Sequence, residues 1–431
     1  MTVGGTRALL AGLLVVTVGA CGGLIPTQNG VPPSAAGIES ATARPTVVPV
    51  PGHEVYGFIP YWEMDDSIVA HVADTDLTTL GLFSVTHRRN GALDDSQNGY
   101  RKVAGDVGRQ LVRAAHDRGT RVELVYSSFG DGKNRQFYTE PKAQARWIEV
   151  LTGVVDDLGL DGVNVDVEGL PPELVLDYGA FVGRLREALH KRLPKAQVSV
   201  STQANELGAA MALAASTAGA DRIFLMGYDY HYAGSNPGAS APIHRLDGEP
   251  RDLVWSLDLY AALGVPVERT ILGLPLYGVT WPVIGPGVGS PSIGRGDAWV
   301  PRRNLGVFAD PSFQPTLEPV ESVEFYAVPM PGIASIVPGS PGFGGSAEPF
   351  GAGGSAVASG SPAGPGTPAS PEPPGWNAVY YDSPRSLTPK LALADERGLA
   401  GAGFWAIGYE RGLPGYGKLM TTFRAGKLKV P

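Results

Sequence analysis

Residues 161–168, Asp-Gly-Val-Asn-Val-Asp-Val-Glu, leave a folded chain few choices. Read as a β-strand, the octet puts Gly162, Asn164, Asp166 and Glu168 on one face and Val163, Val165 and Val167 on the other, because strand side chains alternate. Carboxylates on a core strand must be hydrated, hydrogen-bonded or catalytic to offset their desolvation. A closed parallel barrel supplies such a place, since helices cover its outer face while its inner face opens onto a mouth at the strands' C-terminal ends. Glu168 is expected at that mouth, with Asp166 just beneath it.

The rest of the chain fits this architecture. Apolar runs at 55–61, 80–85, 121–126, 197–201, 222–228, 270–275 and 403–407 read as strands. Stretches at 109–118, 141–158, 172–193, 252–263 and 389–397 have helical spacing. Eight strands alternating with helices over roughly 350 residues predict an α/β fold, a (β/α)8 TIM barrel. The rhythm stops at about 285–375, between strands seven and eight. Within that span 331–375 is mostly Pro, Gly, Ser and Ala, with Glu348 and Glu372 its charged residues, and the whole of about 285–375 is expected to be an exposed, disordered insertion on the functional rim.

The 431 residues are 43% hydrophobic, enough for one large barrel domain with tails. A net charge of −8 without any Lys/Arg cluster gives nucleic acid no footprint. Near the N-terminus Arg7 precedes an apolar run at 8–20 that is too short for a secure membrane span. It reads as an export signal. Val18-Gly19-Ala20-Cys21 is similar to a bacterial lipobox, and Cys21, the single cysteine, is the expected lipidation site. The expected plan is a lipoprotein signal peptide at 1–21, a flexible tether at 22–52 and a catalytic domain at 53–431. That plan places a monomer on the outer face of the cell membrane, held by lipid.

Two carboxyls at i and i+2 on a strand stand about 7 Å apart at the base and can converge at their tips. Such a pair splits its ionisations and keeps one carboxyl protonated near neutral pH, fit to act as a general acid. The competing reading is a polar layer that only stabilises the barrel interior.

The octet resembles the D-G-x-D-x-D-x-E signature of glycoside hydrolase family 18, the chitinase-like barrels. Other segments resemble the family in the same order: Tyr56-Gly57-Phe58 with Tyr61-Trp62 in strand one, Met226-Gly227-Tyr228-Asp229 in strand six, and Gly273-Leu274-Pro275-Leu276-Tyr277-Gly278 in strand seven. Tyr380-Tyr381-Asp382, Ser386 and Lys390 then lead to Gly403-Phe404-Trp405 in strand eight. The resemblance implies retaining hydrolysis of a β-linkage following N-acetylglucosamine, with the substrate's acetamido oxygen as nucleophile. Glu168 would be the acid/base, Asp166 would orient the acetamido group and Tyr228 would hydrogen-bond to it. Trp405 would underlie the sugar, and Asp229, Phe58, Trp62, Tyr277 and Met226 would line the cleft, with Asp161 and Asn164 in support. No cofactor and no metal is implied.

Two departures stand out. Asn164 occupies a position where the pattern usually has Asp, so Asp166 is expected to accept a hydrogen bond from that amide and to couple to Glu168 alone. Strand three ends Val125-Tyr126-Ser127-Ser128-Phe129 instead of S-x-G-G. Peptidoglycan is the first expected substrate and chitin the second, because a lipid anchor keeps an enzyme at its own envelope. Asn164 also resembles the branch associated with spore-cortex and cell-wall hydrolysis. A lectin-like glycan binder of the same fold is the alternative, and the presence of Glu168, Asp166 and Tyr228 favours the enzyme. Rival motifs are weak: Gly401-x-Gly403-x-x-Ala406 opens a strand rather than a helix, and His231, among seven histidines without ligand spacing, reads as cleft wall.

Overall fold

A computed structural model describes residues 52–330 and 375–429. The expected signal peptide with Cys21, the expected tether up to residue 51 and the low-complexity stretch 331–374 lie outside the described residues.

The chain enters through β1 (Glu54–Pro60), α1 (Asp66–Asp74) and β2 (Thr79–Val85), followed by α2 (Asn98–Val103), α3 (Asp106–Asp117) and β3 (Arg121–Phe129). Next come α4 (Asp131–Tyr138), α5 (Pro141–Asp157), β4 (Gly162–Glu168), α6 (Val175–Arg192), β5 (Gln197–Gln203), α7 (Glu206–Thr217), β6 (Arg222–Met226), α8 (Leu253–Leu263) and β7 (Thr270–Pro275). An excursion follows, built from β8 (Gly278–Val283), β9 (Asp297–Trp299), α9 (Leu305–Ala309), β10 (Thr316–Glu318), β11 (Val323–Pro329) and β12 (Trp376–Tyr381). The chain returns through α10 (Pro384–Glu396) to β13 (Gly401–Trp405) and closes with α11 (Tyr416–Arg424).

Strands β1 to β7 and β13 pair in parallel as a closed eight-stranded barrel. Val163, Val165 and Val167 of β4 face outward into the helix layer and are at most 2% exposed. Their even-numbered neighbours necessarily face the interior. Sharp helix starts fix the crossovers: Asp65 accepts from the Ser67 and Ile68 amides to cap α1, and Asp252 accepts from the Trp255 amide to cap α8. Gly264, at φ 85°, ends α8 in the left-handed conformation.

Three differences from the sequence expectation have physical causes. Part of the expected disordered insertion, up to residue 330, is ordered: β8 to β12 make a five-stranded antiparallel sheet in the order β10-β11-β12-β8-β9. Its central pairing, Val279 opposite Tyr380, joins segments a hundred residues apart, which no local pattern announces. Helices α4 and α7 escape the period test for opposite reasons, since α4 has little beyond Phe137 and Tyr138 to bury and α7 is alanine-rich on every side. Helix α10 starts at Pro384, not 389, because Ser383 and Ser386 form a reciprocal cap there and Pro389 is accommodated inside the helix.

Candidate active site

The inward face of β4 carries Asn164, Asp166 and Glu168 in ascending order toward the barrel mouth. Glu168 is half-buried at the lip, and Asp166 below it is 6% exposed. Asp166 Oδ1 is buried without a hydrogen-bond partner. Burial first, and the adjacent Glu168 charge second, hold the Asp166 carboxyl well above the usual range. Glu168 itself is pushed up to about 7, chiefly by burial and then by the charge of Asp229, against the opposing hydrogen bond that Gln203 Nε2 donates to Glu168 Oε2 at 3.2 Å. A proton is therefore retained in this pair near neutral pH.

Beyond β6 the chain turns sharply, with Asp229 at φ 62°. The turn is held by Ser240, whose Oγ accepts from the Asp229 amide at 3.0 Å and donates to Tyr277 Oη at 3.3 Å, while Tyr277 Oη donates to Asp229 Oδ1. Burial of its carboxyl raises Asp229, although the residue as a whole is exposed. Tyr228, half-buried beside it, has its phenol raised by burial and then by Asp166, so it stays a hydrogen-bond donor.

Trp405 stands half-buried at the end of β13. It rests edge-on against Phe83 at 4.9 Å between ring centres, with Phe58 at 5.7 Å and Trp62 at 6.4 Å. Trp62 Nε1 donates to Tyr409 Oη at 3.0 Å. A second aromatic step continues outward, as Phe129 lies 6.4 Å from Phe83 with nearly parallel rings and is 41% exposed.

Several expected residues take other positions. Phe58 is 2% exposed and packs with Tyr56 and Phe224 inside the barrel, so it props Trp405 from below and does not line the cleft. Tyr277 is 6% exposed and reaches the site through Asp229; Met226 packs on the same interior cluster as Phe58. Asp161 lies at the other end of β4, roughly 20 Å from the mouth at 3.3 Å per residue. There it accepts from His116 Nε2 at 2.7 Å and the Val122 amide at 2.8 Å, joining β4 to α3 and β3. Asn164 does not bond to Asp166: its Nδ2 donates to Ser199 Oγ at 2.8 Å and its Oδ1 accepts from Ser201 Oγ at 3.0 Å. His231 is 1% exposed and lines a separate cavity of about 350 Å³ together with Asp247, Glu321 and Tyr380, none of them cleft residues. Among the described residues no cluster of His, Cys, Asp or Glu is arranged to hold a metal.

Sequence reasoning missed Gln203 and Glu123. Gln203 closes β5 two residues beyond Ser201, which pairs with Asp166, so only the register brings it level with Glu168. Glu123 is a lone acid in the apolar strand β3, and that isolation is its signal in the sequence. It is fully buried, accepts from Tyr56 Oη at 2.8 Å and from Ser199 Oγ, and is pushed up to about 7 mainly by that burial.

A half-buried, protonatable carboxyl over a second buried one, a tyrosine donor and a tryptophan ledge at a barrel mouth define a site built for polyhydroxylated rings. The chain belongs to glycosyl hydrolases family 18, whose profile matches residues 55–410. Among its relatives, the cortical fragment-lytic enzyme of Bacillus subtilis (strain 168) is 25% identical over 218 residues, covering 49% of this chain and 47% of the relative. The chain thus spans about half the length of such curated bacterial relatives. Di-N-acetylchitobiase of Rattus norvegicus is 23% identical over 338 residues, covering 75% of this chain and 80% of that protein. The crystal structure of the Bacillus cereus spore cortex-lytic enzyme SleL superposes with a TM-score of 0.63 at 16% identity, covering 86% of this chain and 74% of that one.

Proposed function

We propose that the protein is an exported, lipid-anchored glycoside hydrolase that cleaves β-linkages following N-acetylglucosamine in envelope glycan, with peptidoglycan as its first substrate and chitin as its second. The observation that carries this reading is Glu168, poised at the barrel lip with its carboxyl raised to about 7. In that state it can protonate the glycosidic oxygen. The acetamido oxygen of the sugar over Trp405 then attacks the anomeric carbon, the leaving-group bond breaks, and a cyclic oxazolinium forms with retention set up for the second step. Asp166 accepts from the acetamido N–H and balances the developing positive charge, and Tyr228 Oη donates to the acetamido oxygen. Glu168, now ionised, takes a proton from water as that water opens the ring.

Peptidoglycan is favoured because a protein anchored through Cys21 would stay beside its own wall, and because two relatives are named for cortical or spore-cortex lysis. The test uses the domain lacking residues 1–21 with a chromogenic N-acetylchitobioside, beside Glu168→Gln, followed by purified sacculi and colloidal chitin. Expected are turnover lost in the variant and muropeptide release from sacculi without release from chitin. Saturable glycan binding without turnover in either protein would instead identify a lectin-like binder.

A further inference from the structure

The end of β3, where Ser127-Ser128-Phe129 departs from the family's pattern, carries an arrangement that the chemistry above leaves unused. Glu168 is the last residue of β4, opposite Phe129, and the β3–β4 ladder stops with that pair. A backbone carbonyl at the end of a ladder needs a partner from elsewhere. Here two donors hold it: the Gly130 amide at 3.0 Å and Asn134 Nδ2 at 2.6 Å. Asn134, in the first half of α4, is 0% exposed. Its amide cannot turn over without loss, because Oδ1 accepts from Ser128 Oγ at 2.7 Å and Nδ2 also points toward the Ser128 carbonyl at 3.4 Å. His87 backs Ser128 with Nε2 at 3.3 Å from its Oγ.

We infer that Asn134 is a positioning residue for the acid/base. By clamping the Glu168 carbonyl from α4, it fixes the direction in which the Glu168 side chain leaves the strand. That direction decides where the carboxyl meets the glycosidic oxygen and how far it is withdrawn from water. Among the described residues, Gln203 is the side chain that bonds the Glu168 carboxyl, at 3.2 Å, so the backbone clamp supplies most of the remaining orientation. The inference rests on the reading of Glu168 as acid/base given above.

The test compares Asn134→Ala and Asn134→Asp with the full wild-type chain on the chromogenic chitobioside. In Asn134→Ala, kcat falls about 10- to 100-fold, the scale of an ångström-sized misplacement. KM stays unchanged, and the basic limb of the pH profile moves to lower pH as the loosened carboxyl regains water. In Asn134→Asp the protonated side chain can still donate to the Glu168 carbonyl while accepting from Ser128, and the ionised one cannot. Its activity therefore recovers toward wild type near the ordinary carboxylate range, where Asn134→Ala stays low. A kcat for Asn134→Ala within about twofold of wild type overturns the inference. So does an Asn134→Asp to wild-type ratio that is flat in pH with kcat and KM moving together, the mark of packing alone. Inactivity of wild type and Glu168→Gln alike would sink the proposed function separately. The clamp is then judged from the carbon-13 titration of the Glu168 carboxyl, which is expected to fall in Asn134→Ala and which overturns the inference if unchanged.

Discussion

Asn164 Nδ2 donates to Ser199 Oγ at 2.8 Å, across to β5 instead of up to Asp166. Ser199 passes its own proton on to Glu123, so the amide is part of a sideways polar layer under the site. Aspartate at 164 would remove that donor and add a third buried acid to the column. Asn164→Asp is expected to lower stability by about 2–4 kcal/mol. Its pH–rate profile should also shift, since Asp166 would gain an acidic neighbour. Chemical denaturation and kinetics check both, and a superimposable profile would count against Asp166 coupling to Glu168 alone.

Asp229 bears on the acid from the side. Its charge is the second cause, after burial, of the raised Glu168 carboxyl. In Asp229→Asn that charge is gone while an oxygen remains to accept from Tyr277, so Glu168 ionises more easily. The basic limb of kcat/KM, expected near 7 in the wild type, should move to lower pH. A limb that stays put or rises would remove Asp229 from the account.

Glu123 makes stability depend on pH. Its carboxyl ionises near 4.5 when free and near 7 in the fold, so the unfolded chain gives up the proton first as pH rises. Below that window both states are protonated and nothing is lost; through it the wild type loses about 3 kcal/mol relative to a neutral side chain. Glu123 Oε1 is buried without a partner, which suits a retained proton there. Glu123→Gln should flatten the decline between pH 5 and pH 8 in urea unfolding. Parallel wild-type and variant curves would show that the carboxyl ionises normally.

Lys390 is 0% exposed and its Nζ donates to Asp382 Oδ1 at 2.6 Å, tying α10 to the end of β12. Ser386 Oγ donates to the same oxygen at 2.7 Å. Lys390→Met leaves a buried carboxylate uncompensated and should cost about 3–5 kcal/mol, much of it restored in the double variant with Asp382→Asn. Thermal unfolding distinguishes this from a dispensable pair, for which the single variant would melt like wild type.

Local patterning is enough to specify the barrel and the direction of its acids. Alternation in 161–168 places Val163, Val165 and Val167 against helices and leaves Asp166 and Glu168 no other side to face. It also carried Trp405 and Tyr228 to the strand ends where a mouth must open. The remaining contacts come from how the elements pack. Whether Phe58 meets substrate or supports Trp405 depends on depth in the closed barrel, which alternation does not encode. Gln203 and Asn134 reach Glu168 only because β5 and α4 are laid beside β4 in a particular register, and Asp161 serves the opposite rim for the same geometric reason. The sheet of β8 to β12 is assembled from segments whose partners lie far along the chain. Side-chain direction is a local property of one strand; contact is a property of how separate strands are brought together, and only the folded chain specifies it.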